Sequence, residues 1–360
     1  MADKPIQGEK RVFMTGNEVV AWAAVAAKAD IMYGYPITPQ NEIMHYWTRL
    51  APKFDKSFLQ TEDELSAGFT PIGGVLAGRK AFTATAGPGN TLMQEPLSMA
   101  EMMRIPVVVV VQQRGGPSTA TVIYSQQEVT MTTYGGNGEG FRVVYSPSTH
   151  QELFDYTIKA FNTAWKYRFP TFVLGDGYQA KLRESVTLYD PEEKGVKFVE
   201  TETFLGKPAV NGEKTPYHIR NTYNTEEELY EIITKYQAEY DKMTPEVVEF
   251  EQSNVDDADI IVVGHGVVTR ALRGAVQQLR AEGVKAGMFR PITLRPFPAE
   301  QMKAAIKNAK TVLIVESANG QLAKLVKDAT YGSTVPLEYL FKPGVGVTSE
   351  EVIEKVKGMA

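Results

Sequence analysis

Pro106-Val107-Val108-Val109-Val110-Val111-Gln112-Gln113-Arg114-Gly115-Gly116-Pro117 sets five consecutive valines ahead of an arginine and two glycines. A continuous β-branched run of this kind is what a strand buried on both faces of a parallel sheet looks like. Working outward, three earlier runs also end on polar or glycine-rich turns. Residues 30–33 lead into Gly34-Tyr35-Pro36-Ile37-Thr38-Pro39, residues 57–60 into Thr61-Glu62-Asp63-Glu64, and residues 80–86 into Gly87-Pro88-Gly89-Asn90. Residues 170–174 read as another buried strand. Between the strands lie helical stretches at 17–29, 39–50, 64–78, 90–104 and 150–167, the third rich in small residues and interrupted by Pro71 and Gly73-Gly74. This alternation predicts an α/β fold with a doubly wound parallel sheet. Ligands of such sheets bind beyond the carboxyl ends of the strands, so neighbouring strands would place all four turns on one rim.

Residues 186–250 differ: they are charged, hold several prolines and contain one convincing helix, 229–243, behind the capping pattern Thr225-Glu226-Glu227-Glu228. We read them as a linker excursion. From about residue 258 strand–helix alternation resumes, predicting a second, smaller α/β domain. The expected units are 1–185, 186–255 and 256–360.

Composition narrows the function. Hydrophobic residues make up 43% of the 360 and charged ones 22%, enough for full cores, and the net charge of −5 offers no basic footprint for nucleic acid. No apolar run approaches the ~18 residues of a membrane span, and Met1-Ala2-Asp3-Lys4-Pro5 opens no signal-peptide core, so a cytoplasmic location is expected. The chain has no cysteine and only four histidines, His45, His150, His218 and His265, none paired at metal-ligand spacing. It holds no thiolate-ligated iron–sulfur cluster of its own, and any metal or redox centre has to come from elsewhere.

Glu64 stands just past a strand at the head of a helix, where the positive helix end favours a carboxylate. With Glu62 and Asp63 beside it, an ordinary first-turn glutamate fits the same pattern. Arg114, leaving the valine strand, is placed to bind a carboxylate with its planar fork, or to cap the sheet edge. Thr38 offers a hydroxyl on a stiff turn between two prolines, or is a plain helix-start threonine. Gly87-Pro88-Gly89 before a helix resembles an anion nest, a weak signal alone, and no Walker-type lysine follows to make it a nucleotide loop. His265, between Gly264 and Gly266, reads as a loop residue, with a proton shuttle as the alternative.

Taken together, the motifs resemble the α subunit of a 2-oxoacid:ferredoxin oxidoreductase. They are Tyr35-Pro36-Ile37-Thr38-Pro39, the small-residue helix from Glu64, Gly87-Pro88-Gly89 with Leu92-Met93-Gln94-Glu95, and Gln113-Arg114-Gly115-Gly116-Pro117-Ser118-Thr119. Leu294-Arg295-Pro296-Phe297-Pro298 and Glu316-Ser317-Ala318-Asn319-Gly320-Gln321-Leu322 continue the likeness. The resemblance implies a thiamine diphosphate pyrimidine-binding domain followed by a transketolase C-terminal-like domain that serves assembly. It makes Glu64 the glutamate on the aminopyrimidine ring, Thr38 and Arg114 the ligands of the substrate carboxylate, and Tyr35, Pro36, Ile37, Gly87 and Gly89 cofactor contacts. It further implies a β subunit carrying the diphosphate, Mg2+ and a [4Fe–4S] cluster, γ and ferredoxin-like δ subunits, ferredoxin as acceptor and coenzyme A as co-substrate. The implied reaction is oxidative decarboxylation of a 2-oxoacid to an acyl-CoA.

Two departures bear on the substrate. Ala120-Thr121-Val122-Ile123-Tyr124 follows the Arg-Gly-Gly-Pro-Ser-Thr string where relatives of the 2-oxoglutarate type are small and threonine-rich, and Asn137 stands where many relatives have histidine. The branch implied is that of 2-oxoisovalerate or 2-oxoglutarate, with an aromatic or bulky oxoacid left open. Gly175-Asp176-Gly177 resembles the start of the metal–diphosphate motif of thiamine diphosphate enzymes. No asparagine follows it before Asn211, so it reads as a strand-ending turn. A non-catalytic assembly subunit would be expected to have lost the acid at position 64.

Overall fold

The structure, a computed structural model, describes residues 5–205 and 218–359. Its strands are β1 (Lys10–Thr15), β2 (Ile31–Gly34), β3 (Ser57–Gln60), β4 (Ala81–Thr85), β5 (Val108–Gln113), β6 (Val143–Tyr145) and β7 (Thr171–Asp176). There follow β8 (Arg183–Leu188), β9 (Phe250–Ser253), β10 (Ile260–Val263), β11 (Ala286–Pro291), β12 (Thr293–Arg295), β13 (Thr311–Glu316) and β14 (Leu337–Phe341). Among the described residues they form a seven-stranded sheet, β12-β6-β7-β5-β4-β2-β3, a five-stranded sheet, β14-β13-β10-β11-β9, and the antiparallel pair β1-β8. Each of the two larger sheets is parallel apart from one edge strand: β12 runs against β6, and β9 against β11. The expected α/β class with a doubly wound parallel sheet is what folds.

The valine run explains the centre. Successive side chains of a strand point to opposite faces. Val108 and Val110 enter a core with helices Gly16–Ala26, Asn41–Leu50 and His150–Tyr167. Val107, Val109 and Val111 enter another with helices Glu64–Leu76 and Gln94–Met103. All five are fully buried, worth about 1.5–3 kcal/mol each relative to exposure. The second core continues into the carboxyl-terminal half through Ile261, Val263, Phe289 and Ile314, so both sheets share one apolar interior.

Helix Glu64–Leu76 survives Pro71 because its small residues let neighbours close in. A methyl on Gly68 would lie 2.4 Å from Pro96, and one on Gly74 2.8 Å from the Tyr33 ring. The stretch read as one helix over 90–104 is two, Pro88–Leu92 and Gln94–Met103, joined at Met93. In the segment 186–255 the helix extends over Glu226–Val247, longer than the pattern indicated, and buries Tyr240, Met243 and Val247. Thr225 caps it by accepting from Glu228 N–H, but the Glu228 carboxylate accepts from Asn224 N–H rather than closing the reciprocal box. Strands also cross between the halves. β9 lies in the second sheet, and β12, which carries Leu294-Arg295, completes the first. No helix among the described residues is long and apolar enough to cross a membrane.

Candidate active site

Because β3, β2, β4, β5 and β7 are consecutive parallel neighbours, the turns at their carboxyl ends share one rim. Three acids open the helix after β3, and the structure gives each a separate task. Asp63 is the N-cap, accepting from Ser66 N–H at 2.7 Å, and that bond holds its carboxyl below the usual range. Glu62 accepts from the Ser66 hydroxyl on the outside. Glu64 turns inward and is buried.

The floor under Glu64 is Gly89. A methyl group there would stand 2.8 Å from Glu64 Cγ, 3.2 Å from its Oε1 and 2.3 Å from Thr85 Oγ1. No hydrogen bond within the described residues reaches the Glu64 carboxylate, and Thr85 Oγ1 is buried with no partner. The acid therefore faces the rim with its lone pairs open. Gly89→Ala is expected to push the carboxylate aside and lower kcat by about 10²-fold with little change in thermal stability. Steady-state rates and melting of the assembled enzyme test this, and wild-type turnover would mean that Glu64 tolerates displacement.

Arg114 is 4% exposed at the end of β5. Its Nη1 donates to the Thr38 carbonyl at 2.7 Å, and its guanidinium lies against Gly87, where a Cβ would meet Nε at 2.4 Å. Gly87 has φ 53°, left-handed backbone that favours glycine, and its N–H donates to Glu128 Oε1. Burial lowers the Arg114 pKa from its ordinary value, while the charges of Glu128 and Glu64 oppose the shift. Thr38 thus reaches Arg114 through its carbonyl. Tyr35 and Ile37 use their carbonyls to tie the turn, accepting from the Gln40 side chain and from the Gln40 and Asn41 N–H groups. Pro36 is exposed on this turn.

Sequence reasoning missed Glu128. It follows two glutamines ahead of the short helix Val129–Tyr134 and carries no local signal beyond an acid at a helix start. In the fold it is buried, and that burial pushes its carboxyl up to about 8 against the pull of Gly87 N–H and Arg114. Its Oε2 and Arg114 Nε are both buried without a hydrogen-bond partner.

Asp176 of the Gly-Asp-Gly turn caps its own short helix, accepting from Tyr178 and Gln179 N–H at 3.0 Å. Burial raises it to about 6 against those bonds. Gly177 is required there, since a Cβ would sit 1.5 Å from the Ile123 carbonyl oxygen. Asn211 lies outside the described residues. His265 is not a solvated loop residue: it is wholly buried where the two halves meet, with Nδ1 2.9 Å from Ser146 Oγ and Nε2 unpartnered. Burial holds its pKa near 3, so the ring is neutral.

Compared with known proteins, residues 22–252 match the family model described as pyruvate flavodoxin/ferredoxin oxidoreductase, thiamine diphosphate-binding. Residues 258–352 match pyruvate:ferredoxin oxidoreductase core domain II. The chain is 36% identical to 2-oxoglutarate synthase subunit KorA of Methanocaldococcus jannaschii, across 86% of this chain and 89% of that one. It is 32% identical to ketoisovalerate oxidoreductase subunit VorB of Methanothermobacter thermautotrophicus, across 96% and 97%. Among solved structures it resembles 2-oxoglutarate:ferredoxin oxidoreductase from Magnetococcus marinus, solved with 2-oxoglutarate, coenzyme A and succinyl-CoA bound. There the TM-score is 0.84 at 26% identity, covering 97% of this chain and 65% of that longer one. A split-gene transketolase shares the fold alone, with TM-score 0.58 at 12% identity. The chain belongs to the 2-oxoacid:ferredoxin oxidoreductase family, whose KorA- and VorB-type subunits it matches along most of its length.

Proposed function

We propose that this chain is the α subunit of a multi-subunit enzyme that oxidatively decarboxylates a 2-oxoacid and passes its acyl group to coenzyme A. The observation that carries the reading is the pairing on one rim of an open carboxylate, Glu64 over Gly89, with a cationic fork, Arg114 over Gly87. Residues 1–185 would bind the pyrimidine side of thiamine diphosphate, 186–255 connect, and 256–360 serve assembly. A glycine floor beside an acceptor with no internal partner fits a flat aminopyrimidine ring. Glu64 would hold the ring proton, and Tyr35, Pro36, Ile37, Gly87 and Gly89 would line its place. Bound there, the cofactor supplies carbanion chemistry at the 2-oxo carbon.

Arg114, steadied by the Thr38 carbonyl, binds the oxoacid carboxylate and so fixes the 2-oxo group beside the cofactor. Its partly desolvated surroundings make departure of the charge as CO2 favourable. A β subunit would supply the diphosphate–Mg2+ side and a [4Fe–4S] cluster, with γ and ferredoxin-like δ subunits completing a cytoplasmic complex that reduces ferredoxin. Val122 and Ile123, exposed in the loop after Arg114, favour an oxoacid with an apolar side chain, as in the ketoisovalerate-type relatives, over a dicarboxylic one.

Isolation of the native complex, with thiamine and iron analysis and rates on 2-oxoisovalerate, 2-oxoglutarate and pyruvate, tests the proposal. Cysteine-rich partners, bound thiamine and highest kcat/KM for 2-oxoisovalerate are expected. A colourless, thiamine-free chain without partners would sink it. In the same assay Arg114→Ala should raise the oxoacid KM by about 10²-fold or more, leaving the CoA KM within about twofold, as expected for loss of a charge-assisted pair. An unchanged oxoacid KM removes Arg114 from the substrate site.

A further inference from the structure

Glu128 is an acid whose position the chemistry above does not use. It sits 6% exposed behind the rim, held from three sides. Its Oε1 accepts from Gly87 N–H, in the turn that carries Arg114's guanidinium. Its own N–H donates to Gln113 Oε1 at 3.3 Å, tying it to the residue before Arg114. The two residues ahead of it are anchored as well. Gln127 Oε1 accepts from Gly116 N–H at 3.2 Å, and Gln126 bridges to the second half through the His265 carbonyl and both backbone polar groups of Ser317. The bond from Gly87 N–H and the backbone tie to Gln113 hold Glu128 beside Arg114. Yet Glu128 Oε2 and Arg114 Nε both stay buried with no partner, and no ion pair within 4.0 Å joins the two among the described residues.

We infer that Glu128 is a proton-linked positioning residue for the oxoacid subsite: it fixes the Gly87 turn beneath Arg114 and carries a proton whenever a substrate carboxylate occupies that arginine. The inference rests on the reading of Arg114 as the carboxylate anchor. Its basis is a charge count. One guanidinium faces Glu64 on the cofactor side and Glu128 behind it, and an incoming oxoacid adds a third carboxylate. Along this path stand His265 from the second half, neutral, and Asp176 at the end of β7 in the first sheet, which is engaged as a helix cap. Like charges that share one partner cannot all ionise in a desolvated place, and Glu128, whose Oε2 is buried without a hydrogen-bond partner, is the acid that stays neutral.

The sign follows. Glu128 is raised to about 8 by burial, so near pH 7 it is mostly uncharged and Arg114's full charge is offered to the substrate. Above that pH the free enzyme's Glu128 ionises and competes for the guanidinium. Binding an oxoacid anion then has to draw a proton in, and the apparent affinity falls as pH rises.

The experiment uses the assembled complex with its cofactor. Oxoacid and CoA KM values are measured from pH 6.5 to 9.5 for wild type and Glu128→Gln, together with calorimetry of binding of the unreactive carboxylate oxamate in buffers of different ionisation heat. Wild type should show an oxoacid KM that is level below about pH 8 and climbs by up to about tenfold per unit above it. Its CoA KM should stay level, and about one proton should be taken up per oxamate at pH 9. Glu128→Gln should show neither the climb nor the uptake. A level wild-type profile, or an equal climb in the variant, overturns the inference. If the variant does not assemble, absence of proton uptake by wild type does the same. An Arg114→Ala oxoacid KM equal to wild type sinks the anchor reading itself. A raised Arg114→Ala KM with a level wild-type profile removes only the role of Glu128.

Discussion

Glu64→Gln is expected to abolish turnover, by at least about 10²–10⁴-fold in kcat, while the complex still assembles and binds thiamine diphosphate. The substitution keeps shape and size, so the packing against Gly89 and Thr85 stays. What it removes is the ability to take and return a proton: an amide accepts a hydrogen bond but does not ionise. Helix capping is untouched, because Asp63 rather than Glu64 accepts from Ser66 N–H. The loss should therefore appear in kcat at full cofactor occupancy, with an unchanged melting temperature. Near-normal kcat at full occupancy would overturn the assignment of Glu64.

The largest stability effect is expected at Arg290, a fully buried arginine on β11 that fastens the two halves together. Its Nη2 donates to Glu152 Oε2 at 2.6 Å and to the Ser146 carbonyl at 3.0 Å. Its Nη1 donates to Glu152 Oε1 at 2.8 Å and to Glu251 at 3.0 Å. The Glu152 contact is a bidentate fork that lysine does not reproduce. Arg290→Ala leaves the half-buried carboxylates of Glu152 and Glu251 without their enclosed cation, and losing these charge-assisted bonds costs about 1–3 kcal/mol. Denaturant unfolding measures this, and a loss below about 1 kcal/mol would mean that Arg273, which also pairs with Glu251, takes over.

The joint also has a pH signature. Burial by itself would raise the Glu152 pKa, but the hydrogen bonds and charge of Arg290, with help from Ser148, bring it down to about 2. A depressed carboxyl contributes stability that is present above its unfolded value near 4.3 and is lost as pH falls toward 2. Wild type should lose melting temperature across that window, and Arg290→Ala should lose less.

Much of the framework is written in consecutive residues. The alternation of Val107–Val111 between two cores follows from the period of a strand. The small residues after Glu64 announce a helix that packs closely, Arg114 stands out because it directly follows a strand, and Glu64 because it opens the helix just past one. Local pattern decides such features, since neighbours along the chain set φ, ψ and the side-chain period.

Other features needed the tertiary structure. Only the strand order brings the four turns to one rim. Which of Glu62, Asp63 and Glu64 faces the ligand depends on Gly89, 25 residues beyond Glu64 in number and directly beneath it in space. Arg114 meets the carbonyl of Thr38, 76 residues away. Glu128 gains its meaning from Gly87, 41 residues upstream, and Arg290 from Glu152, 138 residues upstream. The sequence by itself determined the elements and the residues that end them. The tertiary structure decided their partners, because burial and long-range hydrogen bonding act on distances that no local run of residues encodes.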